Sequence, residues 1–210
     1  MTPSAPSAPA SPSVAAGRAA AIDRAAAVRT ALCTLVARNG FHGASMSAVA
    51  AEAGVGTGTA YVHYASKDEL VMATYLEVKR ELGEAAVVDV DPGASAAERF
   101  HQLWVGIHRH LQADPDRARF LLQVDSSPFA RTAHQMAMAA DGDPIMAVAS
   151  APDLAEQLDD LPLEVLYDLG MAPAVRLAAS DLPLDAAALD RLADACWRAI
   201  SRPPGTTPNR

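Results

Sequence analysis

A chain of 210 residues, half of them hydrophobic and only 5% aromatic, is long enough to bury one or two proper cores. The formal charge of −8 argues against binding a polyanion over the whole surface, yet it is unevenly spread: residues 17–70 carry five basic and four acidic side chains, whereas 71–210 carry twelve and twenty-one. No apolar run approaches the length of a membrane span, and the two isolated cysteines, Cys33 and Cys196, fit buried thiols in a reducing cytoplasm better than a disulfide framework.

The opening "MTPSAPSAPASPSVAA" lacks the basic and leucine-rich regions of a secretory signal, and its Pro/Ser/Ala composition predicts a disordered tail over 1–16. From Gly17 a long helix is expected, with Ile22, Val28, Leu32, Leu35 and Val36 toward one side, closing at Asn39-Gly40. Ser45 is the N-cap of a short helix, "MSAVAAEA", that ends at Gly54. A second short helix follows from Thr57 to about Tyr64. "SKDE" then supplies a capping box, Ser66 with Glu69, for a helix running to about Ala86.

"VVDVDPG" interrupts the pattern, and "SAAE" (Ser95, Glu98) opens the next helix with Phe100, Leu103, Trp104, Ile107 and Leu111 on one side. Asp114 and Pro115 restart the chain as cap and first helical residue. Helical stretches are expected over 115–124 and 128–140, shorter pieces to about 159, and two long helices over 162–179 and 184–200. Pro173 is expected to kink or locally unwind the first of these two. Nothing reads as a strand and no repeat is present. The chain reads as all-α: a three-helix head containing a helix-turn-helix over 17–66, a larger helical body over 67–203, and a flexible tail over 204–210.

The informative stretch is "AEAGVGTGTAY": two short helices joined by a tight glycine turn, as in a helix-turn-helix. Gly54 supplies the residue that tolerates positive φ, and Gly58 leaves room for the backbone to approach a groove. Together with "NGFHGASMSAVAAEAGV", "TGTAYVHY" and "SKDEL", over about Ala27 to Met72, this combination resembles the tetracycline-repressor (TetR) family of bacterial transcriptional regulators. The motifs cover about a quarter of the chain; the remainder is similar in layout alone.

The resemblance implies a DNA-binding regulator, a repressor that holds a palindromic operator as a dimer and is released by a small molecule. By position, Ser45 and Ser47 meet DNA from the second helix. Thr57, Gly58 and Thr59 face base edges, Tyr61 and His63 meet phosphates, and Lys67 adds charge at the start of the fourth helix. Tyr64 packs inward. Gly56, Thr57 and Ser47 stand where relatives often carry hydroxyl or charged residues, so this head has few point charges.

In the body, the resemblance implies a small-molecule pocket among the middle helices and dimerisation through the last two. His101, Trp104, His108, Phe120, Gln123, His134 and Met136 are the candidate pocket residues. Leu163, Leu166, Leu189, Leu192, Cys196, Trp197 and Ile200 are the candidate dimer face, packing as a four-helix bundle across a two-fold axis. The three histidines between 101 and 110 are poorly spaced for a metal, so no metal or cofactor is expected. No nucleophile elbow, Walker loop or dinucleotide fingerprint appears, and "GVGTGT" lacks the lysine of a phosphate loop, so an enzyme is the weaker reading. The expected partners are operator DNA, a second copy of the chain and a small-molecule effector, in the cytoplasm and away from membranes. The alternative is a helical ligand- or protein-binding module whose head binds DNA weakly.

Overall fold

The computed structural model describes residues 12–139, 142–180 and 182–202, and among them every regular element is helical. The expected N-terminal tail lies outside the described residues up to residue 11. The C-terminal tail, 204–210, lies outside them entirely. The first helix, α1, spans Pro12–Asn39, so it takes five residues of the expected tail into an alanine-rich helix. It stops where predicted: Gly40 adopts φ +66° and its N–H donates to the Val36 carbonyl at 2.9 Å.

A 3-10 turn, Phe41–Gly43, leads into α2 (Met46–Glu52), α3 (Thr57–His63) and α4 (Lys67–Ala86). Val28, Ala31 and Leu32 of α1 pack with Val49 and Ala50 of α2, Ala60 of α3, and Leu70 and Val71 of α4. These side chains are small, so the short helices sit close to α1 and their outer faces are left free.

The body follows as α5 (Ala96–Ala113), α6 (Pro115–Asp125), α7 (Ala130–Ala139), α8 (Pro144–Ala149) and α9 (Pro152–Ala155). It is completed by α10 (Leu163–Gly170), α11 (Ala172–Ala178) and α12 (Ala186–Ile200). The α5 stripe predicted from spacing is the centre of the core: Phe100, Leu103, Trp104, Ile107 and Leu111 are all buried between α4, α11 and α12. At the α4–α5 crossing a Cβ on Gly106 would lie 2.4 Å from the Ala86 carbonyl oxygen, so the two backbones touch. Arg99 is buried at the start of α5. It binds the Asp153 carboxylate of α9 at 2.5 Å and so holds that carboxyl below its ordinary value.

Two expectations change. Asp114 stands at the N-cap position of α6 but makes no cap bond; its carboxylate accepts from Arg117 Nε at 3.0 Å instead. The single long helix expected over 162–179 is two helices, broken at Met171. Pro173 has no N–H to continue the ladder, and in an unbroken helix its ring would clash with the carbonyl four residues earlier. The C-terminal end is stitched back onto the α9–α10 linker: Leu158 and Ser201 form an antiparallel bridge, Asp159 N–H donates to Ile200 O, and Arg202 N–H donates to Gln157 O, both at 2.8 Å.

Head and body meet along α1 and α6. Arg38 of α1 binds the Asp116 carboxylate at 3.0 Å, and Asp116 also accepts from Arg119 at 3.2 Å. Arg119 reaches on to the Ala179 carbonyl at the end of α11, at 3.2 Å.

Candidate nucleic-acid interface

Ser45 caps α2 as its type predicts, accepting from the Ala48 N–H at 3.2 Å, and its hydroxyl lies 3.0 Å from that of Ser47. Both serines are exposed. At the other end of α2 the chain leaves through a Schellman pair: Val55 N–H donates to Ala50 O at 2.9 Å, and Gly54 N–H to Ala51 O at 3.1 Å. That geometry needs φ +66° at residue 54, which glycine adopts without strain. The glycine turn of the sequence is thereby the device that sets α3 across α2.

Helix α3 has two faces. Ala60 is fully buried and Tyr64, just past the helix, is 6% exposed, so this side is fixed to the head. Thr57, Gly58, Tyr61 and Val62 lie on the opposite, solvent side, with Thr59 and His63 half-buried at its margins. The inward packing of Tyr64 is as expected. Its hydroxyl accepts from Arg29 at 2.5 Å and donates to the Ala25 carbonyl at 3.3 Å. Arg29 in turn holds Glu77 of α4 through two 2.6 Å bonds, and these bonds favour its charged form. One guanidinium thus ties α1, the end of α3 and α4 together.

Ser66 caps α4, accepting from Glu69 N–H at 3.1 Å, while the Glu69 carboxylate accepts from Ala65 N–H at 2.7 Å. The box closes one residue earlier than the standard pattern. Lys67 was expected to offer its charge to a phosphate. Its ammonium is instead bonded to the Phe41 carbonyl and lies 5.9 Å from the centre of the Phe41 ring. It fastens the 3-10 turn to α4, with two of its three donors still available.

The candidate pocket residues do not converge. Trp104 is fully buried and donates its indole N–H to the Gly170 carbonyl at 3.1 Å. His108 stacks on it with ring centres 6.1 Å apart, and burial pushes that imidazole below its ordinary value. Phe120 is core. Gln123, His134 and Met136 are exposed, and His134 pairs with Asp125 at 2.8 Å, while His101 lies 3.2 Å from Asp190 of α12. Helical spacing located these side chains on their helices but not relative to one another. Two cavities lie elsewhere: an open groove beside Glu81, Val88, His110 and Arg117, and a crevice of about 30 Å³ near Thr34, Thr74 and Glu77.

The candidate dimer face is also corrected in part. Cys196 and Ile200 are buried within their own chain, Ile200 against Gly170, and Trp197 packs on the Phe100 ring at 5.3 Å. Leu166, Leu189 and Leu192 are half-buried. Leu163 is 49% exposed, and Val165, Tyr167 and Leu169 join it, so α10 carries the outward apolar surface. Two features escaped sequence reasoning: the Arg29 clamp, which is long-range, and Val62, whose outward position was readable from its place one residue after Tyr61 on the same short helix.

No helix of the described residues is long and apolar enough to cross a membrane, and no group of three or more metal-ligating side chains occurs among them. The family model for bacterial regulatory proteins of the tetR family matches residues 29–74, and the tetracyclin repressor-like C-terminal domain matches 96–201. An uncharacterized HTH-type transcriptional regulator of Haemophilus influenzae is 28% identical over 172 residues, spanning 80% of this chain and 90% of the relative. Among solved structures, a TetR-family transcriptional regulator from Haemophilus influenzae superposes with a TM-score of 0.72 at 27% identity, over 87% of this chain and 99% of the other. A structure described as a tetR family transcription regulator from a Shewanella species gives 0.74 at 25% identity, over 86% and 99%. With a glycine-turned pair of short helices at one end and a matching helical body behind it, this chain belongs to the TetR family of helix-turn-helix transcriptional regulators.

Proposed function

We propose that this regulator acts in the cytoplasm as a homodimeric, ligand-responsive repressor, without catalysis, binding a palindromic operator through two copies of α2 and α3. The observation that carries the reading is the two-faced α3: one side locked to the head by Ala60 and Tyr64, the other presenting Thr57, Gly58 and Tyr61 to solvent. Ser45, Ser47, Thr59, His63 and Lys67 border that face as phosphate-positioning groups. The outward apolar surface of α10, with the half-buried leucines of α12, supports pairing of two copies. An effector would act by favouring a head spacing that no longer fits successive grooves, to the extent of its preference for that state. The α1–α6 contact through Arg38 and Asp116 offers the route from body to head.

Fluorescence anisotropy against DNA from the promoter neighbourhood, with competitor at physiological salt, tests the reading. Specific binding that is lost in Tyr61→Ala and Lys67→Ala is the expected result. A second reading, a ligand- or protein-binding module with a weakened head, is favoured by one observation: residues 46–66 contain neither Lys nor Arg. Absence of any specific complex would select it. Even when the operator is bound, the head neutralises few phosphates, so log K should fall gently with log salt, at roughly 0.9 per phosphate. A slope worth about eight phosphates or more per half-site would contradict this.

A further inference from the structure

Val62 is the most exposed large hydrophobic side chain among the described residues, at 82%, and it stands at the C-terminal end of the solvent face of α3. Tyr61 beside it is 51% exposed. Thr57 and Gly58, one turn earlier, complete a strip at helical positions i, i+1, i+4 and i+5. A β-branched apolar side chain in that position gains nothing from its own fold. Open space surrounds Gly58, where even a Cβ would meet no atom within 4 Å.

What the strip lacks decides its chemistry. Guanine is read by bidentate Arg or Lys and adenine by bidentate Asn or Gln, and residues 46–66 contain none of the four. The base edge that an apolar side chain distinguishes in the major groove is the thymine C5-methyl group, which cytosine and the purines do not present there. Resting on the operator-binding reading above, we infer that Val62 is a specificity residue of this head, packing on a thymine methyl, and that the half-site is read chiefly through methyl contacts rather than bidentate hydrogen bonds. The Thr57 methyl is placed to add a second such contact one turn away, and Gly58 lets the backbone come close enough for both.

The test begins with selection of bound duplexes from a randomised pool by the full-length protein. The enriched duplex is then resynthesised with each thymine replaced in turn by deoxyuridine, which removes the methyl and leaves the pairing edge intact. The expected result is a position in each half-site where uracil weakens binding about fourfold, the value of one buried methyl-sized group. In Val62→Ala that position becomes insensitive to the replacement, and in Val62→Thr, which keeps a methyl, the sensitivity persists. Because Val62 is so exposed, its variants should melt as the parent does, which circular dichroism checks. Indifference to uracil at every thymine, or an equal loss for both bases in Val62→Ala, overturns the methyl-reading inference and leaves operator binding intact. A pool that shows no enrichment overturns operator binding itself and this inference with it.

Discussion

Burial sets the chemistry of single side chains here more than their type does. Cys33 lies 7% exposed between α1 and the start of α6, and loss of hydration pushes its thiol up to about 12; burial raises Cys196 as well. Neither is a nucleophile at neutral pH. In the native protein Ellman's reagent should therefore label neither cysteine on the timescale on which it labels both in denaturant; fast labelling of Cys33 would show that α6 opens from α1. His108 carries the opposite consequence. Stacked on Trp104 and 4% exposed, it is held neutral, with its folded value below its unfolded one. The unfolded chain therefore binds the extra proton, and stability is lost as pH falls through the ordinary imidazole value of about 6.5. Urea unfolding at about pH 7.5 and about pH 5.5 should show a smaller acid loss in His108→Phe than in the parent. An equal loss would place the pH dependence elsewhere.

At the scale of elements, what was legible in the sequence is what is decided within a few residues. Ser45, Ser66 and Ser95 cap the helices they precede, and Gly40 and Gly54 take the positive φ that their turns require, because each depends on neighbours only. Longer-range facts were not legible. The pocket residues were grouped by spacing along α5, α6 and α7, but spacing on one helix says nothing about how helices rotate against each other. Cys196 and Ile200 share an apolar stripe with Leu189 and Leu192, yet the turn of α12 toward Gly170 buries the first pair and leaves the second at the margin. Gly106 belongs to the same class: a helix interior glycine costs about 1 kcal/mol against alanine, and only the Ala86 carbonyl beside it explains its use. Gly106→Ala should consequently destabilise the fold by roughly 1–3 kcal/mol through overpacking, where an exposed helical glycine would be stabilised by the same change. Chemical denaturation reads the difference, and a neutral or positive effect would mean that α4 and α5 can separate without cost.

For the whole molecule, the unresolved balance is between surfaces that face the chain's own core and surfaces that face another copy. Helix α10 exposes Leu163 and Tyr167 along one side and Val165 and Leu169 along the other, apolar surface that water does not favour. If the proposed dimer pairs through α10, replacing Leu163 and Leu169 with glutamate should convert it into a monomer by light scattering while leaving the helical signal unchanged, since both side chains are exposed in the single chain. The same variant should lose operator affinity, because a single head then holds a single half-site. A variant that stays dimeric would move the interface off α10.

The stitch between the α9–α10 linker and residues 200–202 has a mechanical meaning as well. Two backbone hydrogen bonds, the pair that makes up the Leu158–Ser201 bridge, pin the two ends of the stretch from Gln157 to Arg202, so α10, α11 and α12 form a closed ring rather than a loose end. Closing that ring costs chain entropy, a cost that grows only slowly with the length of the closed segment. These contacts hold the chain leading into α10 beside the end of α12, so the two ends of the segment are held in register with each other.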